Sequence, residues 1–546
     1  MVTNHQFREA AYRNQWLNNV RDVPALPPIV TTHSFSDALA AGFRLLNVSV
    51  ANPKSGKLKS FQGQISRFAP CRYGSVRFDG KIRHMEFPHP AAYSWLVEEL
   101  CRQWGPLFPR INNPHSVLAP RKRSGDSRIV RFDDSYNQIR DPFGHSFSGI
   151  NSPTFARNAT GFTVGDPSES FTRGKVVMLD IANFFPSVYT HALDWVITKT
   201  RGGGNTGPGS DVDKAFQISR NNRTDGISIG PVTSNVAAEL ILEPLDNYLD
   251  ERQRLGDLLY VRAVDDITLL VSKDVNVDVL VSEIAAILRR YSLDLNHSKE
   301  KLVDYYEFSS SGIQIVVDRF LGRGEFYAGI SRLPAFFADL VSLDEKNPGI
   351  SVVKYAWKKR FGSCKTPAET EDFLFRSLIF AFKWPHLIPS IVDKIVGSGG
   401  GSPAIIGAYE ELIYSLTYRE LRMGSTETAC WMLYLIRCLN LRLWRVLEKF
   451  DLDEGDCIFD EHAIEEWLSP LVALVLWSFG HRALNAGILA IYSGNVRVQD
   501  ERMEDWSDCW PIRYQMYLDG FLATGKLEPL EKHAFDLMEQ FNFCLL

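Results

Sequence analysis

The sequence predicts an α+β unit followed by an all-helical region, and three observations carry that prediction. From about residue 116 to 305, short β-rich runs (Val176–Leu179, Leu258–Arg262, Ile267–Val271) alternate with stretches at helical spacing (Ser234–Arg254, Val279–Tyr291). Strands and helices interleaved in this way build a sheet with helices packed on it. Beyond about residue 330 the β-rich runs give way to apolar residues spaced three and four apart, through 369–396, 404–422, 426–450, 461–492 and 510–523. Turn signals such as Gly397–Pro403 separate these stretches, and no fixed-period repeat is visible, so stacked helix pairs are expected. The expected divisions are 1–115, 116–325 and 326–546.

Taken in order, the N-terminal part is mixed in composition, with a Pro-rich stretch at Pro24–Pro28. Ahead of it, Ala10-Ala11-Tyr12-Arg13-Asn14-Gln15-Trp16 reads as a short amphipathic helix near a mobile end. Gly202–Gly209 reads as a flexible loop. Asp278 is placed to cap the helix that starts at Val279.

Composition narrows the function classes. With 45% hydrophobic and 23% charged residues, the 546-residue chain is an ordinary globular sequence. No run approaches the roughly 18 apolar residues of a membrane span; Leu468–Trp477 is the nearest. The start has no charged segment leading into an apolar one, so no secretion signal is expected. The eight cysteines contain no C-x-x-C pair, which argues against a zinc or disulfide framework and fits a reducing cytoplasm. The net charge of −5 excludes a broadly basic surface of the kind that grips long duplexes. Nucleic-acid contacts would have to come from local clusters, the clearest being Arg121, Lys122, Arg123, Arg128 and Arg131.

The chemistry lies in three acids. The apolar run Val176-Val177-Met178-Leu179 ends in Asp180, as a buried strand would when it delivers a carboxylate at its tip. In Tyr260–Val271 two β-rich runs flank Val264-Asp265-Asp266, the pattern of a hairpin with adjacent carboxylates at its turn. Neighbouring strand residues face opposite sides, so Asp265 and Asp266 need not play equal parts. Clustered carboxylates repel one another unless cations relieve them. Two Mg²⁺ ions about 3.5–4 Å apart would do so while activating an attacking hydroxyl and stabilising a leaving pyrophosphate. Between the acids lies Gly226–Asn235, a glycine-rich loop opening a helix, which lets backbone approach a substrate closely.

These residues, in this order, resemble the palm of reverse transcriptases. Asp180 with Phe184-Phe185 is similar to the first palm motif, Gly230-Pro231-Val232-Thr233-Ser234-Asn235 to the second, Tyr260–Asp266 to the third, and Leu295-Asn296-His297-Ser298-Lys299 to the fourth. Upstream, Pro120–Val130 matches the fingers pattern loosely. The resemblance implies an α+β right-hand polymerase. Its fingers begin within 1–115, its fingers and palm fill 116–325, and an all-α, HEAT-like helical-repeat domain follows. It implies that Asp180, Asp265 and Asp266 are catalytic, with Asp180, Asp265 and the Ile181 carbonyl on two Mg²⁺ ions (or Mn²⁺) and Asp266 in support. Lys122, Arg128, Gly230, Pro231 and Lys299 would contact the nucleotide. Phe185 would stand at the position that excludes a ribose 2′-hydroxyl, selecting dNTPs.

Ile229-Gly230-Pro231 stands where retroviral and group II intron enzymes carry Pro-Gln-Gly, and Val264 before Asp-Asp is unusual. With the long helical region, this form resembles the abortive-infection reverse transcriptases of bacterial phage defence. That implies template-independent DNA synthesis primed from a tyrosine hydroxyl of the protein, single-stranded DNA attached to the chain, and a homo-oligomer. Tyr12 is the nominated primer, with Tyr73, Tyr93 and the tyrosines of the helical domain as alternatives. The competing readings are an RNA-templated enzyme with a non-coding RNA partner and a catalytically silent scaffold.

Overall fold

The computed structural model describes residues 3–13, 26–40, 49–51, 58–60, 68–113, 115–116, 173–200, 207–310, 313–322, 327–348, 351–459, 467–493, 506–522, 527 and 529–546. Eight strands occur among them: β1 (Ser49–Ala51), β2 (Leu58–Ser60), β3 (Cys71–Val76), β4 (Ile82–Phe87), β5 (Lys175–Asp180), β6 (Leu258–Ala263), β7 (Asp266–Val271) and β8 (Lys301–Asp304). The pairs β1–β2 and β3–β4 are separate antiparallel ribbons. The central sheet has the order β6-β7-β5-β8, with every pair antiparallel.

Alternation along β5 and β7 explains why this sheet is covered on both sides. Val177, Leu179, Leu269 and Val271 enter the main core, whereas Val176 and Leu270 join Tyr305 and Phe308 on the other face. The Val232–Arg254 helix packs on β6 and against the Val277–Arg289 helix. The strands and helices expected in this unit are therefore present, with differences of detail. Asn276, not Asp278, caps the second helix, its side chain accepting from the Asp278 and Val279 amides. Part of the expected glycine loop also differs: Gly209 lies inside a helix, Pro208–Ile218.

Beyond residue 330 the described residues are helical, in shorter pieces than the periodicity suggests. The stretch 369–396 divides into Pro367–Phe380 and Ile388–Gly397, with a 3₁₀ turn at Pro385–Leu387 between them. The stretch 426–450 breaks after Cys438, where Asn440 takes a φ of 53°, and 461–492 breaks between Trp477 and Arg482, where Gly480 takes 72°. Helices near in sequence pack on one another, including Ile388–Gly397 on Thr426–Cys438 and Pro470–Trp477 on Trp510–Leu518. No helix among the described residues is long and apolar enough to cross a membrane.

One contiguous core joins the ends of the chain. Phe35 meets Phe543 at 4.2 Å between ring centroids, and the Thr31 amide donates to the Leu545 carbonyl at 2.9 Å. Strand β3 lies against the Thr426–Cys438 helix. N-terminal residues thus pack between the helices of the central-sheet unit and the helical region.

Candidate active site

The antiparallel register sets Asp180, the last residue of β5, directly opposite Asp266, the first of β7. Directly opposed residues share a face, with Cβ atoms about 4.5–5.5 Å apart. Asp265 occupies the two-residue turn between β6 and β7 with Val264. Val264 holds φ at 60°, while Asp265 is not among the positive-φ residues. A left-handed first turn position normally takes glycine, so a β-branched side chain there places backbone strain beside the acids. The Ile181 amide donates to the Asp265 carbonyl at 3.3 Å, tying the turn to the end of β5.

The fourth motif closes over Asp180. The Asn296 amide donates to the Asp180 carbonyl at 2.8 Å, and the Asn296 side chain to Oδ1 at 3.1 Å. Lys299 Nζ reaches Oδ2 at 2.8 Å, and the Lys299 amide donates to the Asn296 carbonyl at 3.0 Å. Asn296 and Lys299 therefore act on the carboxylate itself. Asp180 is buried, whereas Lys299 is half exposed.

The other two acids have raised proton affinities. Burial pushes Asp265 up, with Asp180 adding to the effect and Arg83 and Lys299 opposing it. Asp266 is pushed up to about 6, first by desolvation and then by Asp265 and Asp180, with Lys299 and Arg77 opposing. Its side chain is open to solvent, so crowding by like charge matters here as well as desolvation. Among the described residues no three Asp, Glu, His or Cys side chains converge into a ready metal cage. The oxygens of Asp180 are instead held by Asn296 and Lys299. The donor chemistry fits a hard divalent cation: all three side chains offer carboxylate oxygen, and their shared charge is only partly offset by one ammonium.

Phe184 is buried in the core and Phe185 half-buried, its ring 5.3 Å from that of Phe184. The Ile227 amide donates to the Phe185 carbonyl at 2.9 Å, joining the first motif to the glycine loop. In that loop Gly226 has φ at 76°, and a Cβ there would lie 3.0 Å from the Pro186 carbonyl oxygen, so a side chain is excluded twice. Gly230 has φ at 131°, and Pro231 precedes the Val232–Arg254 helix. The loop is anchored by Glu86 of β4. Ser228 Oγ donates to Glu86 Oε2 at 2.5 Å, and the Glu86 amide donates to the Ile229 carbonyl at 3.3 Å. Burial works against the Glu86 charge, but Arg220, Ser228 and Arg72 outweigh it and hold the carboxyl below its usual range.

The structure adds Arg77 and Arg83, whose charges act on Asp266 and Asp265 from the β3–β4 hairpin. Sequence reasoning missed both because they stand about a hundred residues before Asp180, outside any motif; only the basic character of Arg72–Arg83 hints at them. Lys122, Arg128 and the rest of their cluster lie outside the described residues. Tyr12 is corrected. It does lie in a helix, Asn4–Arg13, but it is fully buried, and its hydroxyl donates to Glu98 Oε1 at 2.6 Å. Phe7, Ala11 and Tyr12 of that short helix are buried in the core, so the helix is anchored there. The alternatives Tyr73 and Tyr93 are buried as well, Tyr93 donating to the Ala11 carbonyl at 2.9 Å.

No protein-family model and no curated protein matches the chain. Solved structures to which it is similar include apo telomerase from Candida tropicalis, with a TM-score of 0.29 and 12% identity over 71% of this chain and 70% of that one. Telomerase from Candida albicans in complex with a fragment of telomeric RNA gives a TM-score of 0.26 and 12% identity over 72% of this chain. The match spans 64% of that protein, less than two thirds of its length. The Candida tropicalis enzyme with the same kind of RNA fragment gives 0.26 and 13%, over 73% and 72%. Likeness at this level carries no argument about chemistry, which rests on the geometry of the acids.

Proposed function

We propose that this chain is a reverse-transcriptase-like DNA polymerase that joins deoxynucleotides by two-metal nucleotidyl transfer. The observation that carries the reading is the meeting of three motifs at the end of the central sheet. Asp180 and Asp266 face each other across the sheet, Asp265 sits in the adjoining turn, and Asn296 and Lys299 bind Asp180. Asp180, Asp265 and Asp266, with the Ile181 carbonyl, would hold Mg²⁺ (or Mn²⁺). When bound, that metal would supply charge stabilisation at the transferring phosphoryl group. Lys299, Arg77 and Arg83 would attract the triphosphate, and Phe185 would press against the sugar where a 2′-hydroxyl would project.

We further propose synthesis without a template, primed from a protein hydroxyl, in a homo-oligomeric enzyme of cytoplasmic phage defence. The net charge of −5 supports this over a processive enzyme on long duplexes. The primer would be a residue other than Tyr12, Tyr73 or Tyr93. The test is incubation of the full chain with Mg²⁺ and single labelled dNTPs, with and without RNA. Label retained on denatured protein without RNA, and lost in Asp265→Ala, is the expected result. Incorporation only when RNA is present would favour the RNA-templated reading, and none under either condition would overturn both. Phe185→Ala should admit ribonucleotides; unchanged discrimination would remove Phe185 from the sugar site.

A further inference from the structure

The glycine loop is bonded to two different parts of the chain. One is the first motif: the Ile227 amide donates to the Phe185 carbonyl at 2.9 Å, and the Gly226 amide to the Val188 carbonyl at 2.8 Å. The other is a pair of charged residues that belong to none of the motifs. They are Glu86 of β4 and Arg220, which follows the Pro208–Ile218 helix.

This pair forms a clamp around one carboxylate. Glu86 Oε1 accepts from Arg220 Nη2 at 2.9 Å and Oε2 from Arg220 Nε at 3.0 Å, a two-point pairing of guanidinium and carboxylate. Oε2 also accepts from Ser228 Oγ at 2.5 Å, and the Glu86 amide donates to the Ile229 carbonyl at 3.3 Å. The remaining guanidinium nitrogen, Nη1, donates to the Asp225 carbonyl. Glu86 is 7% exposed, and Arg220 and Ser228 are 8% exposed, so water does not readily replace a bond lost among them. The clamp therefore grips the loop at Asp225 and at Ser228–Ile229, on either side of the two amides that hold the first motif. Gly226 lies between: a Cβ there would fall 3.1 Å from Arg220 Nη1 and 3.0 Å from the Pro186 carbonyl oxygen. Guanidinium, loop backbone and first-motif turn are thus in contact, and a shift of one is passed to the next.

We propose that Glu86, Arg220 and Ser228 are positioning residues for sugar selection. They set where the loop holds the Phe185 backbone, and so where the Phe185 ring stands. This rests on the polymerase reading, in which Phe185 presses against the sugar. A steric gate works at van der Waals contact, so a small displacement of the ring admits a 2′-hydroxyl while a deoxynucleotide still binds. Sugar discrimination would then depend on a buried ion pair outside the motifs that carry the acids and the ring.

The test is the ratio of kcat/KM for a dNTP to that for the matching rNTP, measured on the full chain. A change that only destabilises the fold lowers both values and leaves the ratio. Ser228→Ala should lower the ratio about fivefold, the scale of one hydrogen bond's net contribution, mainly by raising kcat/KM for the rNTP. Arg220→Lys keeps the charge but loses the two-point pairing, and should lower the ratio further. In a Phe185→Ala background the ratio is already low, and Ser228→Ala should lower it no more. A ratio unchanged in either clamp variant, while Phe185→Ala lowers it, would overturn the inference and leave the sugar-site reading standing. A further drop in the Phe185→Ala background would also overturn it, because the clamp would then act by another route. Should Arg220→Lys fail to fold, Ser228→Ala decides the matter alone, since it leaves the buried ion pair intact. An unchanged ratio in Phe185→Ala would instead sink the sugar-site reading, and absence of incorporation by the wild type the polymerase reading, each taking this inference with it.

Discussion

The β6–β7 hairpin serves two groups of acids and treats them oppositely. On its inner side Arg262 is fully buried and donates to Glu239 Oε1 and Oε2 at 3.1 and 3.0 Å and to Asp246 Oδ1 at 2.8 Å. Ser116 Oγ adds a bond to Glu239 Oε1 at 2.8 Å. Burial opposes the guanidinium charge, but Asp246 and Glu239 more than restore it, and Arg262 stays charged. At the tip, Asp180, Asp265 and Asp266 share the ammonium of Lys299 and the more remote charges of Arg77 and Arg83. Acids matched by a buried partner belong to the scaffold. Acids left crowded, with one shared ammonium and only remote further charges to offset them, mark a place where a cation is wanted.

The largest expected effect breaks the first group. Arg262→Met leaves Glu239 and Asp246 buried without a counter-charge, and should cost about 3–5 kcal/mol. Denaturant unfolding checks this, and a loss below about 1 kcal/mol would show that water or rearrangement replaces the guanidinium.

A smaller effect of opposite sign is expected at the tip. Asp266 has its proton affinity raised in the fold, to about 6, against roughly 4 in an unfolded chain. Its protonated form therefore favours the fold at low pH, and that contribution is lost as pH rises through about 6. In metal-free protein at pH 7, Asp266→Asn should be more stable than wild type, by under about 1 kcal/mol because the side chain is solvent-open. The advantage should vanish below about pH 4, where both forms are neutral. Thermal melting across this range in chelator checks the sign; a destabilised Asp266→Asn at pH 7 would contradict the account.

The smallest effect concerns the turn. Val264 holds a left-handed conformation that costs an L-residue roughly 1–2 kcal/mol, while glycine gives back about 0.5–1 kcal/mol in chain entropy. Val264→Gly should therefore stabilise slightly while loosening the acids, so the melting temperature should rise as incorporation falls. Loss of both would mean that the valine side chain contributes packing that outweighs the strain.

The contrast between the two groups also shows how far residues near in sequence carry. The apolar run ending in Asp180 and the paired β-rich runs around Asp265-Asp266 foretold the sheet and its acids, because alternation and turn chemistry are local. Tyr260-Val261-Arg262 was legible as motif, but its partners Glu239 and Asp246 lie on the Val232–Arg254 helix, and only packing reveals that Arg262 is structural. Arg77, Arg83 and Glu86 were hidden for the same reason. Helix periodicity ran on through Pro385, Asn440 and Gly480 because apolar spacing continues across a break that backbone geometry imposes. Tyr12 misled because its position near the chain start suggested freedom, when Phe7, Ala11 and Tyr12 face the core.

The most direct test of the central claim compares wild type with Asp265→Asn, both shown to be folded by the same melting curve, for Mg²⁺-dependent incorporation of labelled dNTP. The account predicts incorporation by the wild type that disappears in chelator, and loss of more than about a thousandfold in Asp265→Asn, since charge stabilisation supplies most of such catalysis. Equal incorporation by the two proteins, or incorporation indifferent to metal, would contradict it.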